Sequence, residues 1–249
     1  MAYVDLHCHI LPGLDDGAAT MADTIAHARR LEAAGVHDVA CTPHIKRLDF
    51  PGVDVARLAS LRAEAQRAVD EHGIAVRLHG GGELAHEDAL WLGADDLARI
   101  AQGPAGARWL LLECPFEGLD DAVAGAVERL QDHGYGVLLA HPERAAAIAG
   151  AERRLRSLAA AGVLIQVNAT SLLGRHGPAA HAGAVRLVRE GLVWCLASDG
   201  HPGTRNDTLD RGHEALVRLG LGTRAAALTR DNPRTLLRHG AAAVLPLAA

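Results

Sequence analysis

His7 and His9 stand two residues apart in Asp5-Leu6-His7-Cys8-His9, at the end of a short apolar run that reads as a strand. Residues i and i+2 of a strand face the same side, so both imidazoles can reach one point. Two imidazoles aimed at one point suit a metal ion. Asp15 and Asp16 follow within one turn-like stretch and add carboxylates. A lone His-x-His is weak evidence in a chain with 15 His among 249 residues. It gains weight because ligand-type residues recur past later strands.

These later groups are Cys41-Thr42-Pro43-His44, Gly80-Gly81-Gly82-Glu83, Leu112-Glu113-Cys114-Pro115, Ala140-His141-Pro142-Glu143-Arg144, Gln166-Val167-Asn168 and Ser198-Asp199-Gly200-His201. Any one of them has a structural explanation. A carboxylate past a strand commonly caps the next helix, and His-Pro marks a turn. Six strand ends carrying His, Asp or Glu are harder to explain in that way. The candidates outnumber the roughly four ligands that one zinc ion takes. They fit two or three ions, with a carboxylate bridging a pair. Imidazole and carboxylate donors suit manganese, iron or zinc better than copper(I) or an iron–sulfur cluster.

Clustered ions suit phosphate ester hydrolysis. They clamp phosphoryl oxygens and lower the pKa of a bridging water, making hydroxide available near neutral pH. A cationic side chain for the remaining phosphoryl oxygens would complete such a site. Arg144 is best placed, three residues past His141; Arg205, four past His201, and Arg47, three past His44, are further candidates. The expected reaction is in-line attack without a phosphoenzyme, with Arg144 steadying the phosphoryl group and His201 or Asp199 assisting the leaving group. A phenoxide, with a pKa near about 10, needs less protonation than an alkoxide.

Seven apolar or β-rich runs would position these residues: 3–7, 36–42, 75–80, 109–114, 136–140, 163–167 and 192–197. Ala- and Leu-rich segments with helical spacing lie between and after them, at 20–34, 55–71, 119–133, 152–161, 179–190, 207–219 and 223–230. Asn232-Pro233 opens a last short helix. Thr20 with Asp23 three residues on forms a capping box. Gly35, Gly73, Gly134, Gly162 and Gly191 each close a helix. Strands alternating with helices argue for a parallel sheet, and seven such units for a (β/α) barrel with its site at the C-terminal strand ends. No internal repeat or linker divides the chain, so residues 1–249 are expected to form one domain. The Ala-rich end, 241–249, is expected to fray.

With 49% hydrophobic residues the chain can build a sizeable core. No run of about 18 apolar residues marks a membrane span. The formal charge is -5, and no basic cluster long enough to track nucleic acid is present. A single lysine stands against 24 arginines, a bias of codon usage rather than of function. Cys8, Cys41, Cys114 and Cys195 lack C-x-x-C spacing and read as buried strand residues in a reducing cytoplasm. The helices are apolar enough to leave room for a dimer face.

The whole set resembles the polymerase-and-histidinol-phosphatase (PHP) superfamily: Asp-Leu-His-Cys-His with Asp-Asp-Gly, Thr-Pro-His, Gly-Gly-Glu, Leu-Glu-Cys, Ala-His-Pro-Glu-Arg and Ser-Asp-Gly-His. More narrowly, Asp15-Asp16-Gly17 and the closing Asp231-Asn232-Pro233-Arg234 resemble the bacterial manganese-dependent tyrosine-protein phosphatases of capsule and exopolysaccharide gene clusters. The resemblance covers nearly the whole chain. It implies an α/β fold, a distorted (β/α)7 TIM-like barrel holding three metals, with manganese expected and iron or zinc as alternatives. The implied ligands are His7, His9, Asp16, His44, Glu83, Glu113, His141, Asp199 and His201, with Glu83 bridging. Arg144 matches an active-site arginine of that family; Arg205 matches a second, one residue short of the expected spacing. The implied substrate is a phosphotyrosine in the tail of a partner tyrosine kinase.

Three rivals stand beside this reading. The same metal chemistry could act on histidinol phosphate or another small phosphomonoester. A non-catalytic metal-binding module is disfavoured, because every ligand position is intact. A thiol mechanism is suggested by the C-x₅-R spacing of Cys41 and Arg47. A phosphate-cradling loop needs backbone donors, however; this one has no glycine, and Pro43 removes an N–H.

Overall fold

The computed structural model describes residues 2–146 and 148–241; of the Ala-rich end expected to fray, 242–249 lie outside the described residues. The architecture is a mixed α/β fold of parallel sheets. A three-stranded sheet has the order β1 (Tyr3–Cys8), β2 (Val36–Cys41), β4 (Arg77–His79). A six-stranded sheet has the order β3 (His44–Ile45), β5 (Glu83–Leu84), β6 (Trp109–Glu113), β7 (Gly136–Ala140), β8 (Leu164–Asn168), β9 (Cys195–Ala197). Every strand pairing is parallel. A parallel bridge between Cys8 and Gly200 links the C-terminal end of β1 to the segment after β9.

The seven sequence-expected strands are all present, and β3 and β5 are additional. Both are two-residue strands, and both arise from a break in the preceding strand. Pro43 has no N–H to give to a ladder, so β2 ends before it and the chain resumes as β3. Gly80-Gly81-Gly82 separates β4 from β5. A Cβ on Gly81 would lie 2.7 Å from Gln102 Nε2, and one on Gly82 would lie 2.8 Å from Ile45 Cγ1. Close packing therefore demands glycine there. The two breaks move the chain from the first sheet to the second and set His44 level with Glu83 in register.

The helices follow the apolar periodicity closely. Met21–Ala33 is capped by Thr20, which accepts from the Asp23 N–H, while Asp23 accepts from the Thr20 N–H at 2.9 Å. The glycines 35, 73, 134, 162 and 191 that close helices all take positive φ. A helix over Ala94–Ile100 was not legible, because Gly93 occupies its N-cap without a capping side chain. The 223–230 segment is helical throughout, as an α-helix over Gly222–Ala226 that widens to a π-helix over Ala227–Asp231. No helix among the described residues is long and apolar enough to cross a membrane.

Strand alternation sorts the core into two clusters. The larger packs strand faces such as Val39, Leu110, Leu112 and Leu139 against helices. The smaller joins Val4, Leu6, Trp109, Leu111, Leu138, Ala140 and Cys195 with Leu236 of the last helix. Trp109 Nε1 donates to the Leu236 carbonyl at 3.2 Å, giving its buried N–H a partner. The register of β1 on β2 slips between Asp5 and Cys8, where three steps on β1 match two on β2. An extra residue of this kind re-aims the side chains beyond it, and His7 and His9 lie at and just past it.

Candidate metal centre

All nine expected ligands meet at one end of the strands. Their donor atoms fall into four overlapping groups: His9, Asp16, His44 and His201; His7, Glu83 and His141; His7, His9 and Asp199; His44, Glu83 and Glu113. Within each group the donor atoms lie within 4.8 Å of one another. Glu83 sits between groups. Its Oε2 is 3.2 Å from His7 Nε2, 3.3 Å from His9 Nε2 and 3.1 Å from His44 Nδ1, and its Oε1 is 2.9 Å from His141 Nε2.

The outer nitrogens of the first two histidines explain why this cluster calls for a cation. His7 Nδ1 donates to Gln166 Oε1 at 3.1 Å, and His9 Nδ1 donates to Asp15 Oδ2 at 2.7 Å. Gln166 is itself oriented by donating from Nε2 to Asn168 Oδ1 at 2.8 Å. With the outer nitrogens committed as donors, neutral rings present lone pairs at Nε2. Those two Nε2 atoms lie 3.1 Å apart and also face Glu83 Oε2 and Asp199 Oδ1. Lone pairs and carboxylate oxygens crowded together repel unless a proton or a metal ion lies between them. Although Glu83 Oε2 has three imidazole nitrogens around it, it has no hydrogen bond of acceptable geometry, and neither does His44 Nδ1. Both atoms are oriented as ligands rather than as hydrogen-bonding partners. The donor set therefore fits divalent ions.

Without an ion, protons take the cation's place. Burial alone would lower the His9 pKa, but the hydrogen bond to Asp15 and the nearby Glu83 carboxylate outweigh it and push the ring up to about 10. Burial, reinforced by the Glu83 charge, pushes Glu113 up to about 8. His44 goes the other way, with burial driving it down to about 4. Asp199 and Glu83, despite burial, are held well below the usual carboxylate range by the surrounding imidazoles, with Arg205 adding to the effect at Asp199.

Two of the candidate ligands sit on strained backbone. His141 and Asp199 both take positive φ, 36° and 49°. Neither is glycine, and such conformations carry a cost of order 1–3 kcal/mol that tends to collect at functional sites. Asp199 is held from both sides: Arg144 Nη1 donates to its Oδ2 at 2.9 Å, and Asn168 Nδ2 to the same oxygen at 2.7 Å. Arg205 donates from Nε to the Asp199 carbonyl at 3.0 Å and from Nη2 to Oδ1 at 3.2 Å. The short spacing after His201 is absorbed by a tight backbone loop, in which His201 and Arg205 exchange both N–H···O bonds. Arg144 and Arg205 thus come together. Arg47 does not join them; it is largely exposed and pairs with Asp88 at 3.6 Å.

The pocket over the cluster is about 260 Å³ and is lined by Asp16, His44, Lys46, Asp49, Phe50, Glu83, Glu113, Phe116, His141, Arg144, Asp199 and Arg205. Phe50 stacks on His44 with centroids 4.9 Å apart and 3° between planes. Phe116 stacks on His141 at 6.1 Å and carries the Arg144 guanidinium 4.7 Å above its ring centre. Sequence reasoning assigned no role to either phenylalanine or to Lys46, whose Nζ lies 3.7 Å from Glu113 Oε2. Lys46 is the single lysine of the chain, and that singularity was the one signal on offer. The thiol rival has no support in this geometry. Cys41 is fully buried, its thiol is pushed up to about 12 by burial, and Arg47 points elsewhere.

Comparison with known proteins shows the family. The capsular polysaccharide synthesis CpsB/CapC family model matches residues 3–238. The tyrosine-protein phosphatase YwqE of Bacillus subtilis is 30% identical over 248 residues, covering 95% of this chain and 92% of that protein. A crystal structure from a study of YwqE and of CpsB from Streptococcus pneumoniae, described as metal-dependent tyrosine phosphatases, superimposes with a TM-score of 0.82. It has 27% identity and covers 95% of each chain. A phosphotriesterase homology protein from Escherichia coli shares the fold alone, at a TM-score of 0.57 and 13% identity over 93% of this chain and 97% of that one. With its ligand groups gathered at the strand ends and a family match running almost end to end, this chain belongs to the CpsB/CapC family of capsular polysaccharide synthesis proteins.

Proposed function

We propose that this chain is a metal-dependent protein-tyrosine phosphatase, built as one distorted (β/α)7 barrel domain of the PHP type and acting in capsule or exopolysaccharide regulation. Its substrate is a phosphotyrosine-bearing protein, with the tail of a tyrosine kinase as the expected partner. The observation that carries the reading is the pair His7 and His9. Their outer nitrogens are committed to Gln166 and Asp15, and their inner nitrogens converge with Glu83 and Asp199. Two or three divalent ions, manganese before iron or zinc, would be held by the nine ligands named above. Bound there, they would supply a water of lowered pKa and positive charge for the phosphoryl oxygens.

The remaining work falls to the chain's own side chains. Arg144 and Arg205 both border the pocket and present guanidinium donors suited to paired phosphoryl oxygens. Arg144 is pre-oriented by Asp199 and by the face of Phe116. Phe50 and Phe116 give the pocket aromatic walls, which favour an aryl phosphate over an aliphatic one. Among the described residues lining the pocket there is no Ser, Thr or Cys, so no hydroxyl or thiol is placed to accept the phosphoryl group. Water then attacks phosphorus directly. His201 is oriented as a ligand: its Nδ1 donates to the Asp199 carbonyl at 2.9 Å, which leaves the Nε2 lone pair facing the cluster. Hydrolysis of an aryl phosphate made chiral at phosphorus with oxygen isotopes tests the direct attack. Stereochemistry separates the two routes: net inversion at the chiral, isotopically labelled phosphorus, with no trapped phosphoenzyme, is expected; net retention or a phosphoenzyme on acid quench would contradict it.

A further inference from the structure

A second cleft adjoins the metal pocket. It encloses about 320 Å³ and shares two wall residues with that pocket, Lys46 and Phe50. Its other apolar walls are Pro51, Val53, Trp91 and Leu92. Aromatic residues are only 3% of this chain, yet Trp91 stands 73% exposed at the cleft and Phe50 separates it from the pocket. A large exposed aromatic of this kind is costly to leave in water and is typical of a recognition surface.

We propose that the cleft between Phe50 and Trp91 is a second substrate subsite, which takes an apolar side chain next to the phosphotyrosine of a polypeptide substrate. This rests on the tyrosine phosphatase reading above. Its occupant follows from continuity: a phosphotyrosine seated against Phe50 in the metal pocket continues as polypeptide, and the adjoining surface on the far side of Phe50 is this cleft. Charge sets the chemistry of that neighbour. Asp54, Asp88 and Asp96 also line the cleft, but Arg47 is already committed to Asp88 through its backbone N–H at 2.7 Å and its guanidinium at 3.6 Å, Asp96 pairs with Arg99 at 3.0 Å, and Lys46 pairs with Asp49 at 2.8 Å. An acidic neighbour would find both cations of the lining already paired and the Asp54 carboxylate beside them, whereas an apolar one meets Trp91, Pro51, Val53 and Leu92. The subsite therefore discriminates among phosphotyrosine sequences and has no bearing on a small aryl phosphate.

The test compares two phosphotyrosine heptapeptides, with Leu or with Gly on both sides of the phosphotyrosine, and p-nitrophenyl phosphate. It uses the manganese-loaded wild type and two cleft variants, Trp91→Ala and Val53→Arg. The wild type is expected to show a KM about tenfold lower for the Leu peptide, the size of effect that one buried aromatic contact commonly carries. Both variants are expected to erase that difference and to leave p-nitrophenyl phosphate turnover unchanged. A Leu preference that survives both variants, or an equal loss on all three substrates, would overturn the subsite while leaving the phosphatase reading intact. Failure of the wild type on both peptides, with rapid hydrolysis of histidinol phosphate, would overturn both.

Discussion

Gln166→Met isolates the claim that buried acceptors behind the histidines make the metal site. Gln166 is fully buried and gives His7 Nδ1 its acceptor at 3.1 Å, while its own Nε2 donates to Asn168 at 2.8 Å. Methionine keeps the length and apolar bulk of the side chain but offers no effective acceptor. The His7 N–H is then left unpaired in the interior, at a cost of about 1–3 kcal/mol, or the ring turns and its Nε2 leaves the cluster. At about 1.4 kcal/mol per factor of ten, that range corresponds to roughly a 5- to 140-fold weaker hold on manganese, which brackets the usual effect of losing such a partner. The assay is manganese titration against a chelating indicator at pH 7.5, with phosphatase rates recorded across the same metal range. Activity is expected to return towards wild type as manganese saturates. An affinity within twofold of wild type, in a variant that simply melts earlier, would show that Gln166 only packs the core and would refute the tautomer argument.

Other predictions follow from the same geometry. Because His9 is pushed up to about 10 and Glu113 to about 8 in the metal-free site, binding at pH 7 must expel protons. Calorimetry in two buffers of different ionisation enthalpy is expected to report release of about two protons, with affinity rising as pH rises; no release would contradict the assignment. Arg144→Ala is expected to lower kcat by about 10²-fold or more through lost charge stabilisation of the phosphoryl group, with metal content unchanged by elemental analysis. His27 is buried with both ring nitrogens unpartnered, and burial together with the Arg30 charge lowers it to about 4. The folded state resists protonation there, so its stability contribution is intact above about pH 6.5 and is lost as pH falls towards 4, by about 3 kcal/mol in all. His27→Leu is expected to flatten that part of the pH–stability curve relative to wild type, and parallel curves would exclude it.

The ligand set was legible because a parallel α/β fold puts its chemistry just past the strands, where His44, Glu83, Glu113, His141, Asp199 and His201 fall within a residue or four of an apolar run. What supports those ligands was far less so. Gln166 reaches His7 across 159 positions of sequence, a pairing set by which strands neighbour each other, which single-sequence periodicity does not record. Asp15 read only as a carboxylate beside the ligand Asp16, and its place behind His9 emerges only from the loop that turns back to accept the His44 N–H at 2.9 Å. The main strands were found because they are apolar and end in glycine or proline. β3 and β5 escaped because two residues carry no period, although Pro43 and Gly80-Gly81-Gly82 mark the breaks that create them. The roles of Phe50, Phe116 and Lys46 depend on side-chain packing over the pocket, which no spacing rule encodes.

The most direct test of the central claim is elemental analysis of the purified protein, paired with rates on a phosphotyrosine peptide and on histidinol phosphate before and after chelation. Two or three divalent ions per chain are expected, with hydrolysis favouring the peptide, abolished by the chelator and restored by manganese. A protein that binds no metal, or whose peptide hydrolysis survives complete metal removal, would contradict the account at its root.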